Sequence, residues 1–404
     1  MKSPALLLRL VVAPVSVAIS PHASAQFSSG SNGSFGPLVV PYNTTLTVAV
    51  PPDGILHCTT FHVGEFAHLN FTKNAANTPI YILCTGDADL IGWIHLNGSD
   101  GSLAQPGEGG PGGYDGGHGT IAGESLAGWG AGPGGGKPGS DVADASNFVG
   151  AGSYATKRTS GTANEQLNHG ATYGSALLIP LVGGSGGGGT LQGNGGGGGG
   201  GAMLVASDTR ISCTKVGERG GWLVHGGKGA SGNHGSGGAV RLVAPVVTFA
   251  SSPLFLLSRT DLPDVAAWPN ATGLGRLRVD TLDARGLLGQ TGEVYGVFSI
   301  GKNMTVFPPN MPKLEITEAA GKTVNPAQSV TISLPSGAAI SQSVKVRASN
   351  FGATAKLKVV LTPERGDRIS YDLDIANPGP GSAEGTATVQ FPGNMLTRID
   401  VWTR

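Results

Sequence analysis

From Leu38 to Asn97 the chain alternates apolar and polar residues in short runs bounded by Gly, Pro and Asn. In FHVGEFAHLNF, Phe61 and Val63, then Ala67, Leu69 and Phe71, fall on one face. Denser apolar runs cover Ile80–Cys84 and Leu90–Leu96. A period of two with no 3.6-residue component predicts strands rather than helices.

A second pattern begins further on. Gly201, Gly238 and Gly275 stand 37 residues apart, and AMLVAS, AVRLVA and RLRVDT follow them. Met203, Val240 and Leu277 share one offset, and Val205, Leu242 and Val279 share the next apolar one. The columns are in register, so these strands are expected to stack with both columns inward. Leu204, Arg241 and Arg278 fall between them, which predicts a solvent face and mild effects for Arg241→Ser and Arg278→Ser. Equal spacing with matching columns predicts a β-solenoid, in the form of a right-handed parallel β-helix, over residues 38–305.

Between these zones glycine dominates, with 35 of the 100 residues from Gly101 to Gly200. That density excludes a helical domain, because each interior Gly costs about 1 kcal/mol relative to Ala. The lack of a strict Gly-X-Y period excludes collagen. A loose linker would have no use for apolar runs such as ALLIPLV (Ala176–Val182). The seven glycines Gly195–Gly201 are therefore read as an extended three-residue-per-turn segment, about 22 Å long, packed beside similar segments through backbone hydrogen bonds.

After VFPPNMP (Val306–Pro312) the glycine tract ends. Strand-like runs recur at LEIT, VTISLP, SVKVRAS, AKLKVVLTP, RISYDLDI, GTATVQFP and TRIDVWTR. Seven short strands in about 90 residues predict an immunoglobulin-like β-sandwich over residues 312–404, without the paired Cys of antibody domains. The fold class expected for the whole chain is all-β.

The first 25 residues read as a secretory signal: Lys2 and Arg9, an apolar stretch from Leu10 to Ile19, then Ala23-Ser24-Ala25, with cleavage expected before Gln26. Gln26–Pro37 is rich in Ser, Gly and Asn and is expected to be a disordered leader. Net charge is zero and 13% of residues are charged, without the basic clusters that nucleic acid or anionic membrane would need. No segment has the roughly 20 apolar residues of a membrane span. Three cysteines are too few for a disulfide framework. A Cys58–Cys84 bridge and buried free thiols are both open.

NTPIYILCTGDADLIG, GPGGYDGGHG, YGSALLIPLVGGSGGGG and GGAVRLVAP together resemble a class of uncharacterised exported bacterial proteins. That class is glycine-rich and β-helix-like, with recurring Gly-Gly-Ala-(Ile/Val)-Arg-Leu-Val-Ala motifs. The resemblance covers about Leu38 to Gly289. It implies location and fold, and no activity.

Motifs that carry chemistry fail in detail. Gly183-Gly184-Ser185-Gly186-Gly187 has the spacing of a nucleophile elbow, but glycine follows where a helix is required. Lys137 and Lys228 imitate phosphate loops without the needed Gly or Ser/Thr. GGPGGYD misses the calcium-repeat spacing at Asp115 by one residue, which leaves Asp100 and Asp115 as isolated calcium candidates. The histidines (His57, His62, His68, His95, His118, His169, His225 and His234 among them) show no zinc spacing. Asp87 with Asp89, or Asp280 with Asp283, has the form of a carboxylate pair for glycoside chemistry, against turn and surface roles. The sequence thus assigns no catalytic, cofactor-binding or metal-ligating residue and implies no cofactor. The expected function is an exported, non-enzymatic, surface-associated structural or binding protein, with extracellular polysaccharide or cell-surface material as candidate partners. A polysaccharide lyase or hydrolase is the alternative, on fold analogy alone.

Overall fold

The computed structural model describes residues 27–139, 148–159, 166–216, 220–251, 253–258, 273–287, 293–325, 328, 330–376 and 379–404. The expected signal and its cleavage site lie outside the described residues. Before the glycine tract run β1 (Gly36–Val40), β2 (Thr45–Ala49), β3 (Ile55–Val63), β4 (His68–Thr72), β5 (Ile80–Cys84), β6 (Ala88–Leu90) and β7 (Trp93–His95). After it run β8 (Ala202–Ser207), β9 (Arg210–Thr214), β10 (Gly221–Leu223) and β11 (Ala239–Ala250). Then come β12 (Leu254–Leu256), β13 (Arg276–Asp283), β14 (Glu293–Tyr295) and β15 (Val297–Gly301).

These strands pair in parallel. One sheet runs β14-β12-β10-β7-β4-β2. The other runs β15-β13-β11-β8-β5-β3 and continues to β6 and β9, and β9 pairs back to β11. Strands β3, β5, β8, β11, β9 and β6 therefore close into a six-stranded parallel barrel. This corrects the expectation of a β-solenoid followed by an immunoglobulin-like sandwich. The ladder closes because β3 and β11, nine and twelve residues long, are each long enough to pair with two successive strands.

The predicted columns are in register: Met203 faces Val240 and Val240 faces Leu277, while Val205 faces Leu242 and Leu242 faces Val279. All six are fully buried and share a core with Leu69, Ile94, Trp222 and Phe255 of the second sheet. The other face of β8 and β11 is covered as well. Ala202, Leu204, Ala239 and Val243 pack under Tyr154, Leu178, Leu181 and Val306. That double coverage explains the unbroken apolar run of β8, as in parallel strands generally.

It also overturns the solvent-face reading of Arg241 and Arg278. Arg241 and Asp280 are fully buried and Arg278 nearly so. Asp280 accepts hydrogen bonds from Arg241 Nε (3.1 Å), Arg278 Nε (2.8 Å), Arg278 Nη2 (2.7 Å) and the Asn303 N–H (2.9 Å). Arg241 Nη2 donates to the Asn303 carbonyl at 2.8 Å. Burial holds the Arg241 guanidinium below its ordinary pKa, against the pull of Asp280.

The tract Gly195–Gly201 is buried along its whole length. Its N–H groups point in turn to three neighbours. Those of Gly195, Gly198 and Gly201 donate to the carbonyls of Ser102, Ser99 and Leu96; those of Gly196 and Gly199 to Gly117 and Tyr114; those of Gly197 and Gly200 to Asn233 and Ser236. Its carbonyls accept from three further segments, through Gly107 and Gly110, Gly184 and Gly187, and Gly227. A step of three along each neighbour marks a three-residue turn. This is packed backbone, not tether.

Residues 27–37, expected to lie loose, run along the strand ends. Ser31 Oγ donates to the Cys58 carbonyl at 2.8 Å and Ser29 Oγ to that of Cys84 at 2.9 Å.

The C-terminal strands are β16 (Lys313–Ala319), β17 (Lys322–Thr323), β18 (Ser341–Ser349), β19 (Thr354–Pro363), β20 (Ile369–Ala376), β21 (Ser382–Gln390) and β22 (Thr397–Thr403). They form antiparallel sheets in the orders β17-β16-β18-β21 and β20-β19-β22. Val344, Val346 and Val389 of the first meet Leu357, Val359 and Leu361 of the second in one core. The run VTISLP expected as a strand pairs with neither sheet, and the two-residue β17 takes an edge instead. Val330 and Leu334, which would have packed inward, are exposed.

Two outcomes check this architecture. A Cβ added at Gly197 or Gly199 would land inside the contact shell of the Gly227 or Gly184 carbonyl. Gly197→Ala with Gly199→Ala should therefore lower the thermal midpoint. Gly393→Ala, where nothing lies within 4 Å, should leave it unchanged or slightly raised. Asp280→Asn strips the counter-charge from two buried guanidiniums and should cost about 3–5 kcal/mol in a denaturant titration. A loss under about 0.5 kcal/mol, the surface value, would restore the solvent-face assignment.

Candidate functional site

A groove of about 1100 Å³ lies between the parallel-strand body and the C-terminal sheets. Lys73, Asn74, Asn77 and Asp115 line the body side. Ile316, Leu334, Ile340, Phe391 and Leu396 line the other. Of the described residues after Pro312, five large apolar side chains are exposed, and four of them (Val330, Leu334, Ile340 and Leu396) lie in this groove.

The body wall is held rigidly. Asn77, at φ 47°, donates from Nδ2 to the Gly113 carbonyl (2.7 Å) and accepts from the Gly112 N–H (3.0 Å). Asp115 accepts from the Gly109 N–H at 2.8 Å. Lys73 Nζ donates to the Gly109 carbonyl (3.1 Å) and pairs with Glu108 at 3.1 Å.

Arginines fix the opposite wall on the ends of the glycine segments. The Arg368 guanidinium lies 5.3 Å from the Trp129 ring and 5.9 Å from that of Trp402, and donates to the Gly130 carbonyl at 2.5 Å. Burial brings its pKa down to about 10. Arg365 Nε donates to the Gly119 carbonyl at 3.2 Å. Arg398, paired with Asp400 at 2.9 Å, lies 5.4 Å from the Tyr114 ring, and burial pushes the Tyr114 phenol up to about 12.

The residues singled out by sequence lie elsewhere and do not converge, apart from Asp115, which the groove takes in through its turn role. Ser185 is fully buried, and its hydroxyl is committed: it accepts from the Gly134 N–H (3.0 Å) and donates to the Tyr173 hydroxyl (2.9 Å), which donates to the Gly183 carbonyl (2.6 Å). The elbow serine is thus a strut of the glycine packing. Asp87 and Asp89 share Arg210, at 2.8 and 3.3 Å, and the Thr209 hydroxyl donates to Asp87 and holds its carboxyl below the usual range. Asp283 turns outward to Arg285 while Asp280 is buried, so these two are not a working pair. Asp100 accepts the Lys228 N–H at 2.6 Å. Lys137 donates its N–H to the Asn168 carbonyl, as part of the glycine network. Among the described residues no three His, Cys, Asp or Glu side chains are placed to hold a metal, and no helix is long and apolar enough to cross a membrane.

Sequence reading missed the groove because its walls come from residues far apart in the chain. The one local signal was VTISLP, whose strand-like alternation ends unpaired beside it. It missed one further contact too: His68 Nδ1 and His95 Nε2 meet at 2.9 Å, with stacked rings 5.2 Å apart.

No family model, curated protein or solved structure matches this chain.

The histidine contact predicts a pH dependence. Burial first, then the neighbouring His68 and His225, brings His95 down from 6.5 to about 4. Between those values the unfolded chain binds the proton and the folded chain does not, so stability falls as pH drops through that window. Thermal midpoints measured from pH 7 to 4 should decline more steeply in the parent than in His95→Gln. Parallel curves would show that His95 is protonated as readily when folded as when unfolded.

Proposed function

We propose that this chain is an exported, surface-associated binding module, non-enzymatic, that holds an extended ligand in the groove between its body and its C-terminal sheets. The observation that carries the reading is that four of the five exposed large apolar side chains among the described residues after Pro312 line that groove. Soluble proteins seldom leave contiguous apolar patches uncovered, and a pocket with apolar lining and a few fixed polar groups is the usual form of a binding site. One wall presents Leu334, Ile340, Phe391 and Leu396 beside Thr331, Arg398 and Asp400, and the other carries Lys73, Asn74, Asn77 and Asp115. That division suits a polymer with apolar faces and polar edges. Extracellular polysaccharide has this character, its sugar rings offering C–H faces and hydroxyl rims. Support for export comes from the order of charged, apolar and Ala-x-Ala segments over residues 1–25 and from the resemblance to exported glycine-rich proteins.

Leu334→Asp with Leu396→Asp changes exposed groove positions and should weaken retention on immobilised polysaccharides at least about tenfold, a loss of about 1.4 kcal/mol. Ile369→Asp, exposed but outside the groove, should bind like the parent. Equal binding by all three would place the ligand elsewhere. Protein recovered from the medium should begin at Gln26, and retention of Met1 would remove export from the reading.

A further inference from the structure

Strands β3 and β5 pair in parallel with Leu56 opposite Ile82 and Cys58 opposite Cys84. Register partners on neighbouring strands project to the same face, and both cysteines are fully buried in the same apolar core, as thiols. Neighbouring strands lie about 4.8 Å apart, within the roughly 4.4–6.8 Å that a disulfide spans between Cα atoms. The third cysteine is set apart, since Cys213 has Leu90 and Phe249 as its register partners. The serine hydroxyls of the leader grip the carbonyls of both cysteines, Ser31 on Cys58 and Ser29 on Cys84. Both backbones are thus fixed where the thiols meet.

We propose that Cys58 and Cys84 are a disulfide-forming pair, oxidised by a disulfide-bearing oxidant such as oxidised glutathione or a thiol–disulfide oxidoreductase, with Cys213 remaining a thiol. A hydrogen bond between the two thiols brings the Cys58 thiol down, and that bond and burial push the Cys84 thiol up. The thiolate of one cysteine attacks the oxidant's S–S bond, forming a mixed disulfide and releasing one oxidant thiolate. The other cysteine then gives up its proton and attacks the first sulfur, which expels the second oxidant thiolate. Two protein thiols lose two protons and two electrons, and one oxidant disulfide takes them up to become two thiols. Because both sulfurs are buried, the exchange belongs to folding or to local opening of the β3–β5 pairing. The product ties together two strands of the barrel that are 26 residues apart in sequence and restricts the unfolded chain.

The test uses the full chain refolded in a glutathione redox buffer, with thiols counted in denaturant and peptides mapped by mass. One remaining thiol and a Cys58–Cys84 linked peptide lighter by two hydrogens are expected, together with a higher thermal midpoint than for the reduced protein. Cys213→Ser should form the same linked peptide and retain no thiol, and Cys58→Ser should retain two. Three thiols in the oxidised full chain, a stable glutathione adduct on Cys58, or a bridge involving Cys213 would each overturn the proposal. The mapping needs only the parent protein, so it decides the pairing even where a variant fails to fold. The outcome does not depend on what the groove binds.

Discussion

Every buried backbone N–H needs an acceptor, and in this chain that requirement governs a region almost devoid of side chains. Around Gly195–Gly201 a three-residue turn sends successive N–H groups to three neighbours and receives from three more. Only glycine allows the close approach, because a Cβ at nearly every position would meet a neighbouring carbonyl. The same constraint sets the register of the sheets. The N–H of Gly201 donates to the Leu96 carbonyl, that of Ala239 to Gly201, that of Arg276 to Gly238 and that of Val297 to Gly275. The glycine preceding each of these strands is stacked on the one before it, so the glycine packing and the strand ladder are layers of one structure.

This layering explains what the sequence disclosed and what it concealed. The 37-residue spacing was legible because one glycine and two inward apolar residues recur per layer, and neither can change without a clash or a cavity. Packed glycine was legible because tethers do not carry runs such as ALLIPLV. Arg241 and Arg278 were misplaced because alternation records only that two faces differ, not that the second is also covered. Tyr154, Leu178, Leu181 and Val306, which cover it, come from segments with no repeat of their own. Barrel closure was hidden for a related reason: it depends on β3 and β11 each pairing with two successive strands of the barrel, and strand length is a weak signal.

The covered face has an electrostatic consequence. Two guanidiniums share one carboxylate there, and the Asn303 peptide contributes both an N–H to Asp280 and a carbonyl to Arg241. A buried ionic group costs several kcal/mol in desolvation, which such bonds offset only when geometry is good. The cluster therefore makes the placement of the 302–307 segment matter. If Asn303 moves, Asp280 loses an N–H donor and Arg241 an acceptor together, so the crossing from the parallel body to the C-terminal sheets is fixed by charge as well as by packing.

The groove inherits its shape from the same source. Backbone groups at the rims of the glycine packing face outward, and the C-terminal sheets use them as their anchor: Arg365 takes the Gly119 carbonyl, Arg368 takes that of Gly130, and the Gly366 N–H takes that of Ala127. Trp129 and Trp402 flank the Arg368 guanidinium and exclude water from it. Planar stacking and directed hydrogen bonds of this kind suit arginine and not lysine. Both walls of the groove are thus referred to one rigid backbone array, Asn77 and Asp115 on one side and the β22 edge on the other. A ligand entering it would meet surfaces already in place and would lose less affinity to ordering them.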